Sequence, residues 1–217
     1  MALVSGAPQY HYARMIGFPD KRIALNLLSA DDAIVGPASG GVKRFVFVGR
    51  FDPVKGLDLL TAALERVLRV APEWSATIIG DGQLRGLVEG ACVPRLEVLP
   101  YLQPSHLGAE LSKGGVGVLP SVFESWGVSL HEMALAGLPL IASSRVGAAS
   151  EFLIDGYNGF LFRSGDPADL EQVMLRVVRL SDEHRSRMGS ASLTLGQRIR
   201  PSMVAAALLS APRRAEL

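Results

Sequence analysis

This sequence of 217 residues has little of several features that would indicate particular classes of protein. It contains a single cysteine, Cys92, so it forms no internal disulfide, which fits a reducing compartment such as the cytoplasm. The apolar neighbours of Cys92 predict a packed thiol rather than a reactive one. The formal net charge of only +1 leaves no basic surplus, which argues against a nucleic-acid partner.

Leader segments and long apolar runs are also missing. Residues 1–13 lack the basic start and the apolar centre of a signal peptide. Arginines interrupt the most apolar stretches that are expected to be helical, at Arg66, Arg69, Arg176 and Arg179. We therefore expect a soluble, cytoplasmic protein without membrane contact.

Several catalytic and cofactor motifs are absent. There is no Walker-type Gly-Lys-Ser/Thr loop, which excludes an ordinary P-loop ATPase. Arg85 stands where a dinucleotide fingerprint would have its third glycine, so Gly80-Asp-Gly82 is better interpreted as a tight strand-to-helix turn. His131 begins a zinc-protease-like pattern that Leu135 breaks, so His131 is predicted to be a structural or surface residue. With no Asp-x-Asp triplet and no metal-spaced cluster, we expect no metal.

The central part of the chain alternates short apolar runs with helical patterns. Apolar residues recur with helical spacing over residues 57–68, with charged residues on the opposite face. The apolar runs predict buried parallel strands at residues 44–48, 76–79, 96–99, 116–119, 138–142 and 159–162. This pattern predicts an α/β fold, a doubly wound, Rossmann-like parallel sheet of about six strands with helices on both faces. Ligands of such sheets bind beyond the carboxyl ends of the strands.

The flanking regions are less regular. Residues 1–43 show one short helical pattern near residues 8–16, and we expect them to be a linker. Residues 44–180 form the predicted Rossmann-like domain, which ends with a helix over 167–180 that Asp166 caps. Residues 181–217 are predicted to be a helical extension lying on the surface.

The loop after the first strand combines two cations with a helix start. Residues 49–56 contain Arg50 and Lys55, directly before the helix that begins at Leu57. A guanidinium and an ammonium beside a helix N-terminus predict an anion site, because Arg forks onto phosphate oxygens and Lys adds a point charge. The alternative is that both are ordinary solvated loop charges.

The most informative stretch follows the fourth predicted strand. Gly127 opens a helix whose first N–H groups are free to bind an anion, and Glu124 and Glu132 flank that helix start. Carboxylates accept hydrogen bonds from hydroxyls, so the arrangement suits a diphosphate between hydroxyl-rich sugars. The alternative is two exposed acids that happen to flank a helix. We expect Trp126 and Phe123 to pack this loop onto the sheet rather than to form a pocket wall.

These motifs together resemble the carboxyl-terminal, nucleotide-sugar-binding domain of retaining glycosyltransferases with two Rossmann-like domains, the GT-B fold (glycosyl transferases group 1). The resemblance covers about residues 44–165. It is carried by Val48-Gly-Arg50, Lys55-Gly56, Gly80-Asp-Gly82, Glu124 with Glu132 and Gly127, Ala136-Gly-Leu-Pro139 and the segment 151–159.

The resemblance implies how a sugar donor is held. Arg50 and Lys55 would bind its pyrophosphate together with the amides of Gly127 and Val128. Glu132 would accept hydrogen bonds from the ribose. Transfer would retain the anomeric configuration and need neither a cofactor nor a metal.

Two further contacts and one missing part follow from the same resemblance. Glu124 would contact the transferred sugar as the catalytic candidate, and residues 100–102 would border the base. Residues 5–31 would correspond to the end of an amino-terminal acceptor domain and its linker. That domain would come from a longer chain or a partner, and Ala148 departs from a paired glycine of the family.

Other functions stay open on the same fold. A catalytically inactive nucleotide-sugar-binding or regulatory module would keep the cleft and use its open face for a partner or for self-association. An epimerase or phosphorylase relative is a third interpretation. A phosphorylase would need a lysine-linked pyridoxal site, which the sequence does not reveal.

Overall fold

The computed structural model describes residues 1–31 and 41–210, and its first part is a small unit ahead of the main sheet. Strand β1 (Ala2–Leu3) pairs in parallel with β2 (Ile23–Ala24). Helix α1 (Ala7–Met15) and a 3-10 turn (Asp20–Arg22) connect the two strands. The helix predicted near residues 8–16 is confirmed, whereas the irregular composition of this region gave no signal for a two-stranded sheet.

Six parallel strands form the main sheet, as predicted. They are β3 (Arg44–Val48), β4 (Ser75–Ile79), β5 (Leu96–Leu99), β6 (Val116–Leu119), β7 (Leu140–Ser143) and β8 (Gly159–Phe162). Their order across the sheet is β5-β4-β3-β6-β7-β8, so the chain first builds to one side of β3 and then crosses to the other. This reversal makes β3 and β6 neighbours at the topological switch point, where open α/β sheets bind ligands.

Helices cover both faces of the sheet. They are α2 (Leu57–Val70), α3 (Arg85–Glu89), α4 (Pro104–Ser112), α5 (Val128–Leu135), α6 (Ala149–Phe152), α7 (Pro167–Val178), α8 (Asp182–Gly196) and α9 (Pro201–Ser210). Helix α2 packs against α7, and α5 packs against α8. The predicted doubly wound α/β fold is therefore confirmed.

The core lies between the sheet and these helices. The predicted apolar stripe of α2 is buried, namely Leu57, Leu60, Leu64, Val67 and Leu68. All five residues of β3 are buried, because a central parallel strand is covered on both faces. Phe45 on β3 stacks on Trp74, with ring centroids 4.7 Å apart.

The carboxyl-terminal region differs from the prediction. Helix α8 does not simply lie on the surface, since Met188, Ser192 and Leu195 are buried on its inner side. Gly189 allows this packing, because a Cβ at that position would overlap the carbonyl oxygen of Gly137. Residues 211–217 of the predicted extension lie outside the described residues.

Smaller differences have local causes. Strand β7 begins at Leu140 rather than 138, which fits the lack of an N–H donor on Pro139. Cys92 is exposed rather than packed, because the neighbouring Val93 takes the buried position in the loop. The predicted cap of α7 is confirmed, since the Asp166 side chain accepts hydrogen bonds from Ala168 and Asp169. Within residues 1–31 and 41–210, no helix combines the length and the apolar character needed to cross a membrane.

Candidate functional site

A cleft of about 620 Å³ opens at the carboxyl ends of the central strands. Val48 at the end of β3 and Ile79 at the end of β4 form part of its floor. All six residues predicted for the site line it, namely Arg50, Lys55, Glu124, Gly127, Val128 and Glu132. The structure therefore brings together residues that lie up to 82 positions apart in the sequence (132 − 50).

Two loops meet in this cleft because β3 and β6 are neighbours. Val122 donates a backbone hydrogen bond to Val54 at 2.9 Å, which joins the loop after β6 to the loop after β3. Gly56 has a φ of 66°, and a Cβ there would lie 2.5 Å from the carbonyl oxygen of Pro120. The close approach of the loops thus needs a glycine at position 56.

Helix α5 starts at the inner wall of the cleft. Gly127, with a φ of 100°, is the residue before its first turn. The first N–H groups of a helix have no partner inside the helix and carry the positive end of its dipole. The amides of Gly127 and Val128 therefore add positive potential to a cleft that already contains Arg50 and Lys55.

Lys55 and Glu124 form an ion pair across the cleft. The ammonium of Lys55 donates to Oε2 of Glu124, and the two side chains are only 12% and 16% exposed. The backbone of Glu124 is held on the other side, because its N–H donates to Arg145 at 3.1 Å and its carbonyl accepts from Gly147 at 2.9 Å. The sequence did not predict this pair, because its two residues belong to different loops.

Arg50 lies at the rim. Its side chain is 79% exposed and pairs with Asp52 at 3.1 Å. Such an exposed pair contributes little to stability and is easily exchanged. Arg50 is thus available to a ligand that enters the cleft.

Glu132 faces the cleft from the second turn of α5, as predicted. It is half-buried, and burial together with the charge of Asp31 raises its pKa to about 7. Asp31 was not predicted to lie here. It reaches this place because the end of the linker runs past α5, where Ala30 is buried and donates a hydrogen bond to His131.

The apolar wall of the cleft comes largely from residues outside the main motifs. Tyr101 and Leu102 line the cleft, where the loop of residues 100–102 was predicted to lie. Leu28 of the linker also lines it, which was not predicted. Trp126 also lines it, while its ring packs edge-to-face on Phe152 at 6.0 Å.

Trp126 is buried as expected but also forms part of the cleft wall, and the expected packing is wrong for Phe123. The Phe123 side chain is 59% exposed and borders a second hollow of about 760 Å³ beside the cleft.

His131 is structural, as predicted. Its ring is buried and stacks on Phe152 at 4.1 Å, with an angle of 7° between the planes. Nδ1 accepts the N–H of Ala30 and Nε2 lies 2.9 Å from the carbonyl oxygen of Gly196. The proton of the neutral ring is therefore on Nε2, and His131 ties the linker, α5 and α8 together.

Gly80 and Gly82 form a tight turn next to the cleft. A Cβ on Gly80 would overlap the carbonyl oxygen of Gly49, and one on Gly82 would lie 2.9 Å from the backbone of Phe51. These glycines serve the contact between two loops. Within the described ranges, no three His, Cys, Asp or Glu side chains gather as a set of metal ligands.

Comparison with known families identifies the chain as a group 1 glycosyltransferase sequence. The family model described as "Glycosyl transferases group 1" matches residues 42–179, which is more than half of the chain. All six predicted site residues fall inside this match. The chain belongs to this family.

Curated relatives agree with the family. An uncharacterized glycosyltransferase of Methanocaldococcus jannaschii is 32% identical over 148 residues, covering 66% of this chain and 40% of that protein. A phosphatidyl-myo-inositol mannosyltransferase of Mycobacterium leprae is 30% identical over 193 residues, covering 85% of this chain and 51% of that protein. The chain therefore spans between two fifths and about half of the length of these relatives.

Solved structures show the same fold. The sucrose-phosphate synthase of Thermosynechococcus elongatus superposes with a TM-score of 0.80 at 20% identity, covering 95% of this chain and 56% of that one. Anabaena HepE, solved with UDP-glucose, superposes with a TM-score of 0.73 at 17% identity, covering 96% and 63%. The fold is that of one half of the GT-B architecture.

Proposed function

We propose that the chain is the donor-binding half of a retaining glycosyltransferase that takes a nucleoside diphosphate sugar. The observation that carries this proposal is the cleft at the switch point, where two cations, a helix start and two carboxylates meet. The two cations and the helix start suit the charge of a diphosphate. The two carboxylates suit the hydroxyls of the sugars attached to that diphosphate. The proposal includes transfer without a metal and, because Cys92 has no internal partner, a reducing, cytoplasmic setting.

Each part of the donor has residues of matching chemistry. The diphosphate takes Lys55, Arg50 and the amides at Gly127 and Val128, while Glu132 accepts from the ribose. The base lies against the apolar wall at Tyr101. At the far end of the diphosphate, Glu124 faces the transferred sugar.

The chemical task is to stabilise a departing diphosphate. Transfer breaks the bond from the anomeric carbon to the diphosphate oxygen and forms one from that carbon to an acceptor oxygen. The leaving group gains negative charge in the transition state, and positioned cations and amides lower the barrier by meeting that charge. Removing one such donor typically costs on the order of 10²–10³ in rate.

Relatives supply support for the ligand class. Anabaena HepE has been solved with UDP-glucose, and a pneumococcal O-GlcNAc transferase has been solved with UDP and GlcNAc. Since the chain spans only part of its relatives, the proposal includes an acceptor-binding domain, from the same chain or from a partner, that completes the site.

A binding or regulatory module is the second candidate. The observation that favours it is the hollow beside the cleft, where Tyr12 and Phe123 are 62% and 59% exposed. Exposed aromatic side chains at a concave surface are common where a protein partner binds. A chain that binds a nucleotide sugar but never hydrolyses or transfers it, even beside an acceptor domain, would support this candidate.

Calorimetric titration of the 217-residue chain with UDP, GDP and ADP tests the proposal. We expect one nucleotide to bind with micromolar to millimolar affinity and to lose most of that affinity in Lys55→Gln. Lys43→Gln is the matched control, because Lys43 precedes β3 at the opposite end of the sheet and pairs loosely with Glu73 at 4.0 Å. Absence of binding across the whole panel would reject the proposal.

A further inference from the structure

The ion pair between Lys55 and Glu124 occupies the place where the donor's charge is expected. Among the described residues, Glu124 is the one acceptor that the Lys55 ammonium reaches, and both side chains are largely withdrawn from solvent. The pair lines the cleft together with the start of α5. The free cleft therefore already has its inner cation neutralised by an internal anion.

A diphosphate cannot simply add to this arrangement. Its oxygens seek the same ammonium, and the carboxylate of Glu124 would then lie close to the phosphate charge. Like charges at such distances repel, the more so where water is partly excluded. Binding thus favours a state in which phosphate replaces Glu124 as the partner of Lys55.

Once displaced, Glu124 needs hydrogen-bond donors, because an ionised carboxylate only accepts. A nucleotide sugar brings donors, since its sugar hydroxyls lie next to the diphosphate. A nucleoside diphosphate lacks the transferred sugar and brings no donors at that position. Glu124 therefore has hydrogen-bond donors when the substrate is bound and lacks them when the product is bound.

We infer that Lys55 exchanges partners during the reaction, from Glu124 in the free cleft to the diphosphate in the complex, and that Glu124 thereby discriminates the nucleotide sugar from the nucleoside diphosphate. This inference rests on the proposed function. When the sugar has left, Glu124 loses its donors and competes for Lys55 again, which weakens the binding of the diphosphate product. Glu124 is then a specificity residue for substrate against product.

The surrounding backbone favours a side-chain exchange rather than a loop movement. The loops that carry Lys55 and Glu124 are joined by the Val122 to Val54 hydrogen bond, and Glu124 is held through its own N–H and carbonyl. Two flexible side chains can rotate within this fixed frame. Arg50 does not face the same conflict, because its partner Asp52 lies outside at the rim.

A double-mutant cycle tests the exchange. Glu124→Gln, Lys55→Gln and the double variant are titrated by calorimetry with UDP, GDP and ADP and with UDP-glucose, GDP-mannose and ADP-glucose. We expect Glu124→Gln to bind the nucleoside diphosphate about tenfold tighter, since one competing charged hydrogen bond is removed. The preference for the nucleotide sugar should shrink or vanish. In the Lys55→Gln background, Glu124→Gln should tighten the diphosphate much less, because only the repulsion between Glu124 and the phosphate is then relieved.

Asp81→Asn is the matched control, because Asp81 also lines the cleft but pairs with Arg85 rather than Lys55. Its removal changes the potential of the cleft by one charge, so any tightening should be small and equal in both backgrounds. Glu124→Ala is titrated with the same compounds, alone and combined with Lys55→Gln. Thermal unfolding checks that each variant is folded.

The outcomes separate the two proposals. If the wild-type chain binds none of the six compounds, the proposed function fails and the exchange fails with it. If the wild type binds but Glu124→Gln tightens the diphosphate equally with Lys55 and with Gln at position 55, the exchange is overturned and the proposed function stands. Weaker binding of the diphosphate by Glu124→Gln would also overturn it.

Discussion

Two ion pairs lie at opposite ends of the main sheet and differ in their surroundings. At the amino end, Arg44 on β3 pairs with Glu110 on α4 at 2.6 Å, and both side chains are 9% exposed. The Arg44 guanidinium also reaches Thr77 and the carbonyls of Glu110 and Gly114, which accounts for five hydrogen bonds. At the carboxyl end, Lys55 and Glu124 line an open cleft.

The difference lies in how many partners each charge already has. An arginine has five N–H donors, so Arg44 has no capacity left for a ligand. Burial works to raise the pKa of Glu110, but hydrogen bonds from Lys113 and Arg44 outweigh it and hold that pKa below its ordinary value. Lys55 has three N–H donors, one of which binds Glu124, and the residue lines the open cleft. We conclude that the first pair serves folding, and we propose that the second serves binding.

The largest effect is expected at the amino end. Arg44→Met should lower the free energy of unfolding by about 3 kcal/mol, the lower end for a broken buried pair, because Glu110 loses one of its two cationic partners and keeps Lys113. Urea unfolding at neutral pH measures this change. Arg69→Met is the control, since Arg69 forms an exposed pair with Glu65 and should cost less than about 1 kcal/mol. Equal costs for both variants would remove the distinction between buried and exposed pairs.

The Lys55 pair should respond in the opposite way. Lys55→Gln should weaken binding of the preferred nucleoside diphosphate roughly 30-fold, the worth of a charged hydrogen bond of about 2 kcal/mol. Its free energy of unfolding should fall by less than that of Arg44→Met, because the unpaired Glu124 then lines an open cleft. Parallel calorimetry and urea unfolding check both parts. A variant that loses stability but keeps its affinity would make this pair structural as well.

Glu132 gives the cleft a dependence on pH. Its pKa is about 7 in the folded chain, raised by burial and by Asp31 from an ordinary 4.5. Below pH 4.5 the group is protonated in both states. As the pH rises from 4.5 to 7, the unfolded chain releases this proton before the folded chain does. The free energy of unfolding should therefore fall with rising pH, by about 1–2 kcal/mol after allowance for partial exposure.

Urea unfolding at pH 5 and pH 8 measures this dependence. The wild type should lose more stability between the two pH values than Glu132→Gln, which cannot titrate at this position. Identical changes in both proteins would show that Glu132 has an ordinary pKa and that the linker carboxylate of Asp31 does not act on it.

The smallest effect is expected at the rim. Arg50→Ala should weaken nucleotide binding about threefold at low salt and less at high salt, because an exposed charge is screened. Arg163→Ala is a closely matched control, since Arg163 is also 79% exposed and pairs with Asp166 at 3.3 Å. Equal effects of the two variants would show that Arg50 acts only through the net charge of the protein.

The sequence was most informative where local pattern and sheet topology coincide. The α2 stripe was predictable from helical spacing, and the buried strands were predictable from apolar runs. Arg50 and Glu124 could be placed together from the strand pattern, because loops after parallel strands share one edge of the sheet. The membership of the family added the expectation of a sugar nucleotide.

What the sequence did not reveal depends on contacts between distant segments. Lys55 and Glu124 belong to separate loops. No rule of sequence spacing predicts which nearby charged residue each of them pairs with. Asp31 reaches Glu132 only because Ala30 is anchored to His131. Helix α8 is buried because the small Gly189 packs against the turn after α5. The weak amphipathic pattern of α8 does not predict this packing.

Nuclear magnetic resonance of the 15N-labelled chain during titration with UDP, GDP and ADP tests the nucleotide site most directly. We expect one nucleotide to shift the amide signals of residues 49–56 and of Gly127 and Val128, while the amides around Arg44 and Glu110 stay in place. Saturable shifts confined to the amino end of the sheet, or no shifts with any nucleotide, would contradict a diphosphate site in this cleft.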